Sequence, residues 1–582
     1  MATEHLLDEF PAVTTAEWEA AIARDLKGAD YEKKLIWRTQ EGFAVKPYYR
    51  AEDLQGLVCL DATPGEFPYR RGARTTGAWR IREEIDESDA ERANGAARAA
   101  SAAGAEEIAF GEVSVDGAPE LEVLLGDLRE VPVHFARADK RLVRLLLERL
   151  NKRPGTGAVS TGCDALTSAG FAAEIIRDAP TGFVPFAIHG EAFEEAGGTA
   201  VEEIGFTLAA GADFLTAMEE SGVDAIRAAK AIEFSFAIGS NYFFQIAKLR
   251  AFRMVWARVV ESFGGTGEEG RARIAARTSR WNKTVYDPHV NVLRATTEAM
   301  AAVLGGADSV AVAPFDECFG KPDGAAGRLA RNTQLVLKHE AWLGRVADAG
   351  GGSYYLEAIT ELLAREGWKR MQEIEARGGY RKAQADGMIA AELKRSSTAR
   401  EKAVALRKSV LVGTNQYANS AERAVGRVDE RRMAAGQRAG QIYEKLRLGT
   451  ERHAARGGRT PRVVLAEVGD VKMRGARSNF AANLLACAGF EIVIQRFRRA
   501  EEIAAADGDL IVLCSADEEY AALAAELMPK LKALGRATPV IVAGNPENAD
   551  ELRAAGVADF VHVRSNAVDV LAKWQERLGI KD

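Results

Sequence analysis

Between Val184 and Glu317, short apolar runs bounded by Gly, Pro and Ser alternate with longer segments in which Phe, Leu, Ala and Val recur every three or four residues. The runs read VPFAIHG, IEFSFAIG, RIAARTS and SVAVAP, and the segments between them are helical in pattern, as in SNYFFQIAKLRAFRMVWARVVESF. This repetition predicts parallel strands with crossover helices, because two parallel neighbours need a connection long enough to return over one face of the sheet. Any site chemistry then belongs at the carboxyl ends of those strands.

Upstream, four more strands are predicted at 79–85, 106–112, 131–136 and 157–163, each followed by a helical stretch such as DKRLVRLLLERLNKR. Eight strand-helix units over about 250 residues are the number and size of an α/β (β/α)8 TIM barrel. The competing open, doubly wound sheet has fewer strands and a Gly-rich first turn, which Trp79 to Asp86 lacks. After Pro314 the pattern predicts the last barrel helix and then charge-rich helices to about Leu448. GTERHAARGGRTP is polar and ends in Pro461, so 449–461 reads as a linker. Residues 462–582 restart the alternation with five strands, which predicts a flavodoxin-like doubly wound domain. Residues 1–50 hold aromatics but no strand-helix unit, and are expected to form an extended arm; 51–448 is then the barrel with additional helices.

Lys+Arg 77 against Asp+Glu 84 gives a net charge of −7, and the basic residues are scattered, so neither nucleic acid nor an anionic membrane is an expected partner. No eighteen apolar residues run together and the first residues carry no targeting pattern, which predicts a cytoplasmic protein. Five widely spaced cysteines without a CxxC pair read as reduced side chains. Seven dispersed histidines without an HxxxH pair predict no metal site.

Three loops could carry chemistry. GTGEEG (265–270) matches a dinucleotide pattern by letter but follows a helix and precedes a strand, the wrong order for a phosphate-binding turn; GGGSYY (350–355) reads as a turn after a helix. The loop Trp281-Asn-Lys283-Thr-Val-Tyr286-Asp287-Pro-His289 follows the seventh strand, where Lys283 and His289 could serve as acid, base or phosphate contact. It reads equally as a helix lead-in with Asp287-Pro288 as turn chemistry. In the second domain, Asp470 to Gly475 passes from strand to helix, which suits either ligand approach or an ordinary turn.

The two-part order, together with RLARNTQLVLKHEAWLGRVADAGGGSYYLEAIT (328–360), RTSRWNKTVYDPHVNVLRATTEAMAAVLGGADSVAVAPFDE (277–317) and FAIGSNYFFQIAKLRAFRMVWA (236–257), resembles the adenosylcobalamin-dependent methylmalonyl-CoA mutase family, its small or β subunit in particular. The resemblance implies a heterodimer with a homologous large subunit, which would interconvert methylmalonyl-CoA and succinyl-CoA by a radical 1,2-shift in propionate metabolism. Family members that bind the corrin carry Asp-x-His-x-x-Gly, whose imidazole ligates cobalt; the matching positions here are Asp470, Lys472 and Gly475. An ammonium offers donors and no lone pair. Two further motifs also depart, as Ser515-Ala-Asp517 and Ala543-Gly544. Where catalytic chains have Gly-Tyr-His, this sequence has Gly190-Glu191-Ala192, and Arg74 and Gly77 stand where Tyr and Arg are expected. His189 is a candidate substitute, although its place in the strand need not aim it at the same point.

The resemblance therefore implies a non-catalytic chain without cofactor-binding residues, paired with a large subunit that binds adenosylcobalamin and the acyl-CoA. Competing readings are a self-sufficient cobalamin mutase with Lys472 or nothing as lower ligand, a cofactor-free barrel enzyme using Lys283 and His289, and an assembly scaffold. The arm, with Trp18, Trp37, Tyr48 and Tyr49, is the candidate for wrapping the partner.

Overall fold

The computed structural model describes residues 10–11, 13–153, 157–265 and 267–580. Its larger sheet is a ring of parallel strands: β1 (Arg80–Ile85), β2 (Glu107–Phe110), β3 (Val133–Phe135), β4 (Val159–Thr161), β5, β6 (Ile232–Ile238), β7 (Ile274–Thr278) and β8 (Ser309–Ala311). β5 is split at Pro185 into Phe183–Val184, which pairs with β4, and Phe186–His189, which pairs with β6. Proline has no N–H to give to a ladder. β8 pairs with β1 and closes the barrel. All eight predicted strands are present; the break at Pro185 was not foreseen.

The stretch read as one helix after β5 also divides. Gly197, at φ +93°, ends Glu191–Glu195, and a capping box of Thr199 with Glu202 opens α1 (Ala200–Glu220). α1 packs against α2 (Tyr242–Ser262) and α3 (Tyr354–Glu375). The α1–α3 crossing is close because Gly205 and Gly367 face it: a Cβ on Gly367 would lie 2.4 Å from Ile204 Cγ2, and one on Gly205 2.5 Å from Arg370 Cγ.

The predicted extended arm is corrected: from residue 13 onward it is partly helical. A capping box of Thr14 and Glu17 starts the helix Thr15–Asp25, and Trp37–Arg38 pairs antiparallel with Ala44–Val45. Trp37 and Phe43 lie against Phe244 at ring-centroid distances of 5.3 and 5.7 Å, and Tyr49 lies 5.2 Å from Tyr355, so the arm packs on its own barrel. Trp18 stacks on Tyr48 and keeps 46% of its surface exposed, and Trp37 keeps 47%.

Two further expectations are revised. The charge-rich region is not continuously helical, because 406–429 is irregular. The stretch 449–461 is not all linker: α4 (Gln441–Ala455) runs through its first half, since EKLRLGTERHAA meets buried partners on both sides. The second domain has β9 (Arg462–Glu467), β10 (Glu491–Arg496), β11 (Leu510–Cys514), β12 (Val540–Ala543) and β13 (Asp559–Val561) in the order β10-β9-β11-β12-β13, the flavodoxin order. Among the described residues no helix is long and apolar enough to cross a membrane.

Gly367→Val is predicted to destabilise the chain by about 1–3 kcal/mol, the usual cost of overpacking, read as a lowered urea midpoint with an unchanged slope.

Candidate functional site

The barrel axis is filled by charge. Arg82 on β1 donates to Glu107 on β2 at 2.7 Å and, across the interior, to Glu233 on β6 at 2.9 Å. His134 on β3 lies 2.9 Å from the Ser160 hydroxyl on β4 and 3.6 Å from Glu233. All five side chains are buried, with Glu107 and Glu233 only 1% and 2% exposed. Burial alone would raise the Glu233 carboxyl, but the Arg82 guanidinium holds it well below the usual range. Burial and then the Arg82 charge pull His134 down to about 4. None of these residues belongs to a sequence motif. The available signal was a charged or polar residue inside strands that a barrel buries on both faces, as in RIREEI, VPVHFA and IEFSFAI.

Above this layer, at the carboxyl mouth, His189 donates from Nε2 to the Gly162 carbonyl at 3.0 Å, while Nδ1 meets Glu191 at 3.0 Å. Ser235 also donates to Glu191. Burial opposes the imidazolium, yet the hydrogen bond and charge of Glu191 outweigh it, and His189 is pushed up to about 9. Both ring nitrogens are thus committed. Ala192 lies exposed on the following helical turn, outside this cluster. Arg74 is at the opposite face, bonded to Ala307 and Asp308 just before β8.

The loop after β7, read either as a candidate site or as a helix lead-in, is closed over. Trp281 to Tyr286 are all buried. The Lys283 ammonium contacts Glu298 at 2.7 and 3.0 Å, Ser279 O at 2.8 Å and Asn282 Oδ1 at 2.8 Å. Every proton it can donate is used. His289 is exposed and stacks on Phe315 at 5.2 Å, so the structure does not place it in this buried hydrogen-bond set. The cover is α4: Val285 N–H donates to Glu444 at 2.9 Å, Tyr286 OH donates to Glu451 at 3.1 Å, and Arg438 bonds both Lys283 O and Glu444. From its far side, Thr450 donates to Ala488 O at 2.6 Å and accepts from Gln575 at 2.7 Å, which fastens the same helix to the second domain.

In that domain, Asp470 caps α5 (Val471–Leu485) by accepting from Met473 N–H at 2.8 Å. Lys472 is exposed in the first turn, and Gly475 lies within the helix, where an added Cβ would meet nothing. Gly469 is the position that needs glycine: φ is +71°, and a Cβ would fall 2.0 Å from the Glu519 carboxylate. Glu519 accepts from the N–H groups of Asp470 (3.2 Å) and Ala516 (3.3 Å) and from the Ser515 hydroxyl. Beside it the buried Tyr520 hydroxyl accepts from Ser515 N–H at 3.0 Å and donates to Ala543 O at 2.8 Å. An Arg477–Asp517 ion pair at 2.8 Å lies over Gly544. The chain's own side chains occupy the carboxyl edge of this sheet.

Neither GTGEEG nor GGGSYY forms a phosphate turn. Gly265 and Gly267–Gly270 lead to β7, and Thr266 lies outside the described residues. In GGGSYY, residues 350–352 form a turn, as read, which leads into α3, and the Gly352 N–H already donates to Glu357 at 2.9 Å.

The sequence profile described as "Methylmalonyl-CoA mutase" matches residues 38–116 and 171–456. The chain belongs to the methylmalonyl-CoA mutase family. It is 35% identical to a methylmalonyl-CoA mutase small subunit of Porphyromonas gingivalis, over 99% of both chains. It is 32% identical to one of Streptomyces virginiae, over 99% of this chain and 98% of that one. A methylmalonyl-CoA mutase large subunit of Streptomyces virginiae matches at 30% identity over 82% of this chain and 71% of its own length. The TIM barrel and second parallel-sheet domain of this chain are consistent with that family.

The two histidines predict opposite pH limbs. His134 has a folded pKa near 4, below its unfolded value, so stability falls as pH drops from about 6.5 toward 4, by ~3 kcal/mol at most. For His189 the folded value, about 9, lies above the unfolded one, so its contribution is complete below about pH 6.5 and is lost as pH rises through 9. In urea melts across that range, His134→Gln should flatten the acid limb and His189→Gln the alkaline one. An acid limb unchanged in His134→Gln would assign that limb to other groups.

Proposed function

We propose that this chain is the small, non-catalytic subunit of a heterodimeric, adenosylcobalamin-dependent methylmalonyl-CoA mutase. Its homologous large partner carries the corrin and the acyl-CoA and performs the radical isomerisation. The observation that carries this reading is the closed barrel axis. Arg82, Glu107, His134 and Glu233 meet across the interior, where an extended acyl-CoA arm lying along the axis would have to displace them. At the mouth, Ala192 has no proton to give, and His189 is locked to Glu191 and Gly162. The relatives named small subunit and large subunit support a chain that works with a partner.

The residues of the second domain do not fit a corrin. Lys472 offers an exposed ammonium where the family ligand is an imidazole, and it sits in a helix already closed by its Asp470 cap. Glu519 and Tyr520 take the backbone groups and the space at the edge where a nucleotide tail would enter. No catalytic step therefore passes through this chain, and Asp470, Lys472 and Gly475 are turn and helix residues. A retained fold without its site is consistent with function residing in sites grafted on folds. The heterodimer contact, upwards of about 2,000 Å² for an obligate pair, includes the arm in this reading, with exposed Trp18 and Trp37 as anchors.

Purified chain mixed with adenosylcobalamin and desalted should retain no corrin absorbance, and Lys472→His should retain none either, because the ligand is only one of several missing features. Co-expression with the large subunit should yield one corrin per heterodimer. Corrin retention or acyl-CoA isomerisation by the isolated chain would overturn the proposal. Deleting residues 1–45 should weaken co-purification of the large subunit, and undiminished co-purification would remove the arm from the contact.

A further inference from the structure

At the amino face of the barrel, opposite the mouth, Arg253 of α2 is a buried charge with no ion pair of its own, since the carboxylates that act on it, Asp348 and Asp308, are bonded to other arginines. Its side chain is 2% exposed, its one hydrogen bond is a long 3.3 Å contact to Gly306 O, and its Nε has no partner. It has no ion-pair partner among the described residues, whereas the neighbouring arginines all have one. Arg70 pairs with Glu357 and Glu361, Arg71 with Asp348 and Glu357, Arg250 with Asp348 and Glu357, and Arg74 with Asp308. Five guanidiniums thus face four carboxylates, and those carboxylates are already shared among the other four arginines. A buried, unpaired cation is costly, and the deficit here is one negative charge.

Arg253 lines a small cavity with Arg71, Arg74, Gly72, Gly77 and Asp348. Its volume is about 20 Å³, enough for one particle of water or halide size. Two loops meet over it: a Cβ on Gly77 would fall 2.4 Å from Val346 O, so only glycine lets them close. Arg74 at the rim keeps 35% of its side chain exposed, which leaves a way in. Burial draws Arg253 down to about 10, and the charges of Asp348 and Asp308 offset it only in part.

We infer that this cavity binds one small monovalent inorganic anion of chloride size, held by Arg253 with Arg71 and Arg74. The anion completes the charge balance of the amino face and ties the 71–77 loop to the 343–349 loop. Polyatomic anions such as phosphate are too large for the space.

The full chain, exchanged into sodium gluconate, is titrated with sodium chloride or bromide at constant ionic strength while thermal unfolding is followed. A saturable rise of about 1–2 °C in Tm is expected from binding to the folded state alone. Arg253→Met should lose the rise, since the variant removes the unpaired charge. Crystals grown in sodium bromide should show an anomalous peak within hydrogen-bonding reach of the Arg253 guanidinium, a readout that needs no variant. Equal Tm in chloride and gluconate, an undiminished rise in Arg253→Met, or no bromide peak beside Arg253 would each overturn the inference.

Discussion

The bond from Arg82 to Glu233 crosses the barrel and ties the first strand to the sixth. Much of the rest depends on it. Removing either partner would leave a charge in a dry interior, which typically costs several kcal/mol, although the intact pair adds little over a well-packed apolar substitute. Its contribution is best understood as arrangement. With Glu107 and His134 on the flanking strands, it forms a layer of bonded charges across the barrel interior.

The same device recurs wherever elements from distant parts of the chain meet. Lys248 on α2 reaches Glu203 on α1 at 2.6 Å, with both side chains fully buried. Lys283 is held to Glu298, and Arg438 and Glu444 carry the chain from the seventh barrel loop to α4. That helix joins the domains by polar contacts on both sides, and Trp281 extends the apolar cluster of the second domain back to the barrel. A loop that would serve as a site in an open barrel has become part of the joint between domains.

The second domain keeps the outline of a ligand-binding fold while its ligand-facing edge is self-satisfied. Glu519 accepts the N–H groups that an incoming anion would use, and the Tyr520 hydroxyl bridges the ends of β11 and β12. Gly475 illustrates how little one family letter means alone, since nothing surrounds its position. Gly469, at the start of the same loop, is the residue the turn requires.

Periodicity alone determined the architecture: eight strand-helix units, then five in a smaller domain, because alternation at period two and then 3.6 is a local property of the chain. That positions 472 and 192 hold Lys and Ala was also legible, being a matter of residue type. Tertiary structure alone decided which polar side chains occupy the barrel axis. Arg82 and Glu233 lie 151 positions apart, and whether a strand residue faces inward depends on how the ring closes. It also decided that Lys283 is buried beneath α4 and that the stretch after Leu448 is half helix. Each of these follows from a contact between segments distant in sequence, which no local pattern encodes.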